Sequence, residues 1–308
     1  MPNVTTGAMN RRTFLQTAGL HAAGLGAGAA ALAACAASPR SSTTTTTTSA
    51  TTVGGAPSSG RPLGVQLYTM RSVMARDVEG TLRTVAEAGY KEVEFAGYYN
   101  REPKALRATL DGLGLSAPST HLQLDAFRGG LGASLDTAAA LGHRYLILPF
   151  LLPPDRTPEG YRRVAADLNR AGEQARARGM RVGYHNHDFE FAQLPNGERG
   201  MDLLLANTDP ALVAFELDLY WVTYAGLDPV ALFAKTPGRF ELWHVKDLGV
   251  RNGERTMVEV GTGQIDFRRI YAQAAQSGVR HLIVEQDNAT DPAANIRTSY
   301  AGLRRVVG

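Results

Sequence analysis

The sequence predicts an α/β protein, a (β/α)8 TIM barrel over residues 61–308 preceded by a disordered signal and linker segment. Three observations predict it. From Pro62 to Gly308 the chain runs for roughly 250 residues, the usual size of such a barrel. Over that length short apolar runs alternate with amphipathic stretches, a pattern that implies parallel strands joined by helices. Several amphipathic stretches stop at a glycine that feeds the next apolar run: Gly89, Gly112, Gly142, Gly179 and Gly278. A glycine there suits a left-handed helix stop before a short loop.

The strands read as apolar runs without strict alternation, as expected when both faces of a parallel sheet are covered. They fall at Leu63–Leu67, Glu92–Phe95, Ala117–Thr120, Tyr145–Leu148, Arg181–Tyr184, Val213–Leu217, Phe240–Val245 and His281–Val284. Between them the 3.6-residue periodicity predicts helices at Asp77–Ala88, Lys104–Leu113, Ser134–Leu141 and Pro158–Arg178. Shorter ones follow at Met201–Ala206, Pro229–Ala234 and Phe267–Gln276, and Ala293–Val306 closes the ring. A doubly wound open sheet would need a glycine-rich phosphate loop after its first strand. The chain offers Gln66-Leu67-Tyr68-Thr69-Met70-Arg71 instead, so the barrel is favoured.

Ahead of the barrel lie two segments of different composition. Residues 1–35 carry Asn10-Arg11-Arg12-Thr13-Phe14-Leu15, then a weakly apolar Gly/Ala stretch too poor in Leu, Ile and Val for a permanent membrane span. The pattern resembles a twin-arginine export signal, and Leu32-Ala33-Ala34-Cys35 resembles a lipobox whose cysteine is lipidated. Residues 36–60 are Ser/Thr/Gly-rich and have little to bury, which predicts a solvated linker. The expected location is therefore outside the cytoplasm, in the periplasm or cell envelope, with any membrane attachment made through the signal or a lipid on Cys35. The 32 basic and 29 acidic residues leave a net charge of +3, too small a bias for a nucleic-acid partner. Cys35 is the single cysteine, so a metal site must be built from His, Asp and Glu.

Barrel chemistry sits where strands end and βα loops begin. Gln66 and Tyr68 follow the first strand, Glu94 lies near the end of the second, and His121 ends the third. Strand five runs into Tyr184-His185-Asn186-His187-Asp188-Phe189-Glu190, and strand six into Glu216-Leu217-Asp218-Leu219-Tyr220-Trp221. Strand seven gives His244-Val245-Lys246-Asp247, and strand eight gives Glu285-Gln286-Asp287. His185, Asp218, His244 and Glu285 come from four successive strands and should meet in one mouth. Carboxylates gathered there are costly unless a cation neutralises them. The mixed N/O set suits Mn²⁺, Mg²⁺, Co²⁺ or Zn²⁺.

These runs together give residues 62–308 a resemblance to the xylose-isomerase-like barrel superfamily of sugar phosphate isomerases and epimerases, which includes inosose dehydratases and keto-sugar epimerases and lyases. The resemblance implies metal ligands at Asp218, His244 and Glu285. At strand five it leaves two candidates, His185 where many relatives have Glu, and Glu190 five residues on. The implied activity is that of an exported, metal-dependent keto-sugar isomerase or epimerase, which removes a proton next to a carbonyl through a metal-stabilised enediolate. A lyase or dehydratase acting on a 3-keto-glycoside or inosose shares that first step. A lipid-anchored sugar-binding protein is the non-enzymatic alternative. In this scheme His187 and Glu190 are the candidate base and acid, and Lys246 stabilises charge or protonates a leaving hydroxyl. Gln66, Tyr68, His121, Asn186, Trp221 and Asp247 would line the pocket of a small sugar substrate. The sequence leaves open whether two copies pair as a homodimer.

Overall fold

The computed structural model describes residues 60–308. The twin-arginine stretch, Cys35 and most of the Ser/Thr-rich linker lie outside the described residues. Among the described residues no helix is long and apolar enough to cross a membrane.

Eight parallel strands close the barrel: β1 (Leu63–Gln66), β2 (Glu92–Phe95), β3 (Ser116–His121), β4 (Tyr145–Leu148), β5 (Arg181–His185), β6 (Val213–Asp218), β7 (Leu242–Val245) and β10 (His281–Val284). The last strand closes on the first through Leu63↔Leu282 and Val65↔Val284. The helices expected from periodicity are α2 (Val78–Glu87), α3 (Pro103–Leu113), α5 (Gly132–Leu141), α6 (Pro158–Arg176), α7 (Gly200–Asn207), α9 (Pro229–Lys235), α10 (Phe267–Tyr271) with α11 (Ala274–Ser277), and α12 (Pro292–Val307). Their starts are written locally. Asp77, Thr157 and Asp291 each accept a backbone N–H of the first turn, and proline opens α6 and α12.

Two features differ from the sequence reading. Gly112 lies inside α3, and the left-handed stop is Gly114 at φ 64°. Three short helices, α1 (Arg71–Met74), α4 (Leu124–Gly129) and α8 (Leu219–Tyr224), also occupy βα loops, and an antiparallel hairpin of β8 (Asp247–Arg251) and β9 (Glu254–Val258) follows β7. Its turn is Asn252-Gly253, both at positive φ (53° and 81°), the combination that a two-residue turn matched to strand twist requires.

Side chains alternate across each strand and so build two cores. Phe215 and Leu217 of β6 face the helices, in an outer shell where Phe233 and Trp243 stack at 5.2 Å. Ala214 of the same strand joins Tyr145, Ile147, Leu242 and Ile283 in a separate apolar layer inside the barrel. At the foot of the interior Glu241 accepts from the Tyr145 hydroxyl at 2.7 Å and pairs with Arg181 and Arg280. The barrel is thus packed shut below. Two residues further along β6 and β7 the inward positions turn polar: Glu216 and Asp218, His244 and then Lys246.

Candidate active site

At the C-terminal ends of β5, β6, β7 and β10, His185, Asp218, His244 and Glu285 each present one ligand atom, all within 4.8 Å of one another and all buried. The strand register makes this possible, since Asp218 lies beside His244 and His244 beside Ile283, two residues before Glu285. His185 Nδ1 lies 3.2 Å from the Pro149 carbonyl, which accepts its proton and leaves Nε2 facing Asp218 Oδ2 at 3.3 Å. Asp218 is held as well: its backbone N–H donates to Asn186 Oδ1, and its Oδ1 caps α8 at the Trp221 N–H. His244 Nδ1 approaches Glu285 Oε2 to 2.7 Å without hydrogen-bond geometry and has no hydrogen-bond partner, although buried. An imidazole nitrogen and a carboxylate oxygen this close, in a buried place, can share either a proton or a cation, and the N₂O₂ donor set suits a divalent ion.

Lys246 enters the same charge cluster. Its Nζ lies 3.0 Å from Asp218 Oδ2, 2.7 Å from Glu285 Oε2 and 2.8 Å from Asp287 Oδ1. Burial alone would lower this ammonium, but Asp218, Asp287 and Glu285 outweigh it and hold it well above its ordinary range. Burial likewise opposes the charge on Glu285, and Lys246 and His244 overcome it, leaving the carboxyl well below its usual value.

Beneath this group is a second polar layer. His121 Nε2 lies 3.0 Å from Glu94 Oε1 and 2.9 Å from Glu216 Oε2. His244 Nε2 meets the same two oxygens at 2.8 and 3.1 Å. Burial disfavours the charge on His121, but Glu94 and Glu216 raise it to about 9.

The mouth is walled by aromatics. The His187 ring packs edge-on to Phe150 at 5.1 Å, stacks on Phe189 at 5.6 Å and tilts against Trp221 at 5.5 Å. Burial, then the neighbouring His185 and Lys246, hold His187 well below its usual value, so it is neutral at neutral pH. His187 Nδ1 and Trp221 Nε1 are buried without hydrogen-bond partners, two polar atoms suited to a ligand. Tyr68, half-buried, carries the Arg71 guanidinium 4.2 Å above its ring.

Five of the sequence-derived candidates are engaged by other protein groups in the structure. Glu190 does not join the cation group. Its Oε1 accepts from the Tyr184 hydroxyl at 2.6 Å and its Oε2 from the His187 N–H at 2.8 Å, so it braces the β5 loop, and burial raises its carboxyl to about 7. The Asp247 carboxylate accepts the N–H groups of Leu248, Gly261, Gly263 and Ile265 at 2.8–3.1 Å and so ties the hairpin to the loop after it. Asn186 ties β5 to β6 through Asp218 and the His187 carbonyl. Gln66 accepts from the Tyr68 N–H and donates to Glu94 Oε1. His121 belongs to the lower layer rather than to the pocket wall. The sequence places Glu94 and Glu216 among the polar residues near strand ends but assigns them no role in the site. Each follows the barrel's inward period, Glu216 two residues before Asp218, but isolated glutamates in apolar strands gave no sign of meeting.

The family described as xylose isomerase-like TIM barrel matches residues 82–306. The chain belongs to that family. Among similar proteins, the inosose dehydratase of Lacticaseibacillus casei is 29% identical over 70% of this chain and 83% of its own length. The inosose dehydratase of Geobacillus kaustophilus is 27% identical over 73% and 84%. A sugar phosphate isomerase/epimerase from Parabacteroides distasonis superposes with a TM-score of 0.69 at 27% identity, covering 81% of this chain and 96% of that one. This member of the xylose isomerase-like barrels is an enzyme of the isomerase, epimerase or lyase type.

Proposed function

We propose that the chain is a divalent-metal-dependent enzyme that removes a proton from the carbon beside the carbonyl of a sugar or keto-sugar, as an isomerase or epimerase. The meeting of His185, Asp218, His244 and Glu285, with His244 Nδ1 unpartnered, carries the reading. When bound, the ion would act as a Lewis acid on the substrate's carbonyl and hydroxyl oxygens. The side chains supply the rest. His187, neutral and next to the ligand group, takes the proton through an imidazole nitrogen; its ring centroid is 5.0 Å from that of His185. Phe150, Phe189 and Trp221 exclude water and offer faces to the apolar C–H surface of a sugar. Return of the proton to the adjacent carbon gives isomerisation, and return to the opposite face gives epimerisation.

A second reading has its own support. Lys246, charged and held among three carboxylates, can hand a proton to the oxygen leaving from the β carbon, a hydroxyl in an inosose or the glycosidic oxygen in a 3-keto-glycoside, which gives a dehydratase or lyase. Relatives named inosose dehydratase favour it. Metal analysis of the purified protein, with solvent deuterium incorporation into ketoses, inososes and 3-keto-glycosides, tests both. Exchange without elimination of water or aglycone supports the first reading, and an unsaturated product supports the second. Sugar binding with neither metal nor exchange would leave a binding protein and sink both.

Export is part of the proposal, with Arg11-Arg12 as the signal and Cys35 as the lipid site. Fractionation of the Arg11→Lys/Arg12→Lys and Cys35→Ala variants tests it. Retention in the cytoplasm and release from the membrane are the respective expected outcomes.

A further inference from the structure

We infer that Glu94 and Glu216 are positioning residues that fix the tautomer of His244, so that Nε2 carries the proton and Nδ1 presents its lone pair to the cation. The inference rests on the metal reading above. Glu94, His121, Glu216 and His244 form a group that could itself hold a cation, and it shares His244 with the upper group. The shared imidazole decides between them. A neutral imidazole has one lone-pair nitrogen and one N–H. With Nδ1 turned to the upper cation, Nε2 bears the proton, and a proton-bearing nitrogen repels a second cation below. The contacts are of two kinds in the same sense. His244 Nε2 makes a well-formed hydrogen bond to Glu94 Oε1 at 2.8 Å, whereas buried Nδ1 makes none.

The lower layer is therefore built to hold protons. His244 donates to Glu94, with Glu216 Oε2 3.1 Å away, and His121 donates to Glu216 at 2.9 Å. Gln66 Nε2 donates to Glu94 Oε1 at 2.6 Å and keeps that carboxylate from swinging. Glu94 Oε2 and Glu216 Oε1 are buried without partners, so the negative charge beside the imidazole is incompletely compensated and makes Nδ1 a stronger donor to a metal. His185 reaches the same end by a neutral route, through the Pro149 carbonyl. Of the two imidazoles, His244 is the one whose donor strength depends on ionised groups.

The test uses the full barrel chain labelled with ¹⁵N-histidine and loaded with Zn²⁺. The ¹⁵N shifts of His244 should show a protonated Nε2 and a metal-bound Nδ1. Titration calorimetry should give one ion per chain, with Zn²⁺ affinity about 10- to 100-fold weaker in Glu94→Gln and Glu216→Gln. Two ions per chain, Zn²⁺ bound at Nε2, or unchanged affinity in both variants overturns the inference. A wild-type chain that takes up no divalent ion instead removes the functional reading on which it rests. If the variants do not fold, the wild-type tautomer decides alone.

Discussion

Three carboxylates converge on the Lys246 ammonium within 3.0 Å, and two of them, Asp218 and Glu285, also belong to the cation group. Removing a buried partner charge costs about 3–5 kcal/mol because it strands the groups left behind. A divalent ion would supply much of the missing charge. Lys246→Met should therefore destabilise the metal-depleted protein by about that amount and the loaded protein by less. By linkage, it should bind metal at least as tightly as the wild type while losing turnover. Parallel loss of metal affinity and activity, read by calorimetry and product assay, would show that Lys246 helps to build the site rather than acting on substrate. A second residue gives a pH signature away from the site. His143 donates Nδ1–H to the Ala117 carbonyl at 2.6 Å and receives the Tyr98 hydroxyl at Nε2, and burial lowers it to about 4. The fold binds its neutral form, so this contribution is complete above pH 6.5 and is lost as pH falls toward 4. It amounts to about 3 kcal/mol. In urea melts, His143→Gln should flatten that part of the acid limb; an identical slope in both proteins would refute the assignment.

The hairpin of β8 and β9 is where a single element serves the mouth. Leu248 and Met257 pack with Tyr220, and Trp221 and Tyr224 lie against that cluster. Arg255 donates to the Thr223 and Tyr224 carbonyls and so closes the C-terminal end of α8. Gly253→Val puts a β-branched residue at positive φ and should cost about 1–2 kcal/mol, confined to the hairpin. Hydrogen exchange should quicken in 247–258 while the barrel strands stay protected, and KM should rise more than kcat falls. Equal exchange throughout would mean that the turn does not hold the hairpin. The eight barrel strands were legible because burial on both faces leaves continuous apolar runs such as Tyr145–Leu148 and His281–Val284. Asn252-Gly253 is the one local signal of the hairpin, and its flanking strands are too polar to announce themselves. The meeting of His185, Asp218, His244 and Glu285 was legible from their places at successive strand ends, and the family resemblance singled out the last three as metal ligands. The duties of Asp247, Glu190 and Asn186 were not legible, because an acceptor pointing to solvent and one satisfied by distant backbone N–H groups look alike in sequence.

Across the whole molecule, stability and chemistry are divided along the barrel axis. The lower interior is an apolar layer closed by Glu241 and its arginines, and it provides packing that is independent of any ion. The upper interior gathers Asp218, Glu285 and Asp287 around one lysine and the His185 and His244 imidazoles, an arrangement that folding tolerates but does not favour. Burial opposes the charged His244, yet Glu216 and Glu285 hold it well above its usual value, so a cation arriving at Nδ1 must displace a proton. Metal binding should therefore release protons, strengthen as pH rises, and stabilise the fold without being required for it. At a free-ion concentration a hundredfold above Kd, the gain is about 2.7 kcal/mol. For a barrel of this size that corresponds to an increase of about 5–10 °C in melting temperature. Chelation should reverse the shift and leave the far-ultraviolet circular dichroism of the folded barrel unchanged, and His244→Ala should abolish the response. A melting temperature indifferent to Mn²⁺, Mg²⁺, Co²⁺ and Zn²⁺ alike would mean that the polar layer is neutralised by its own protons, and that its carboxylates need another explanation.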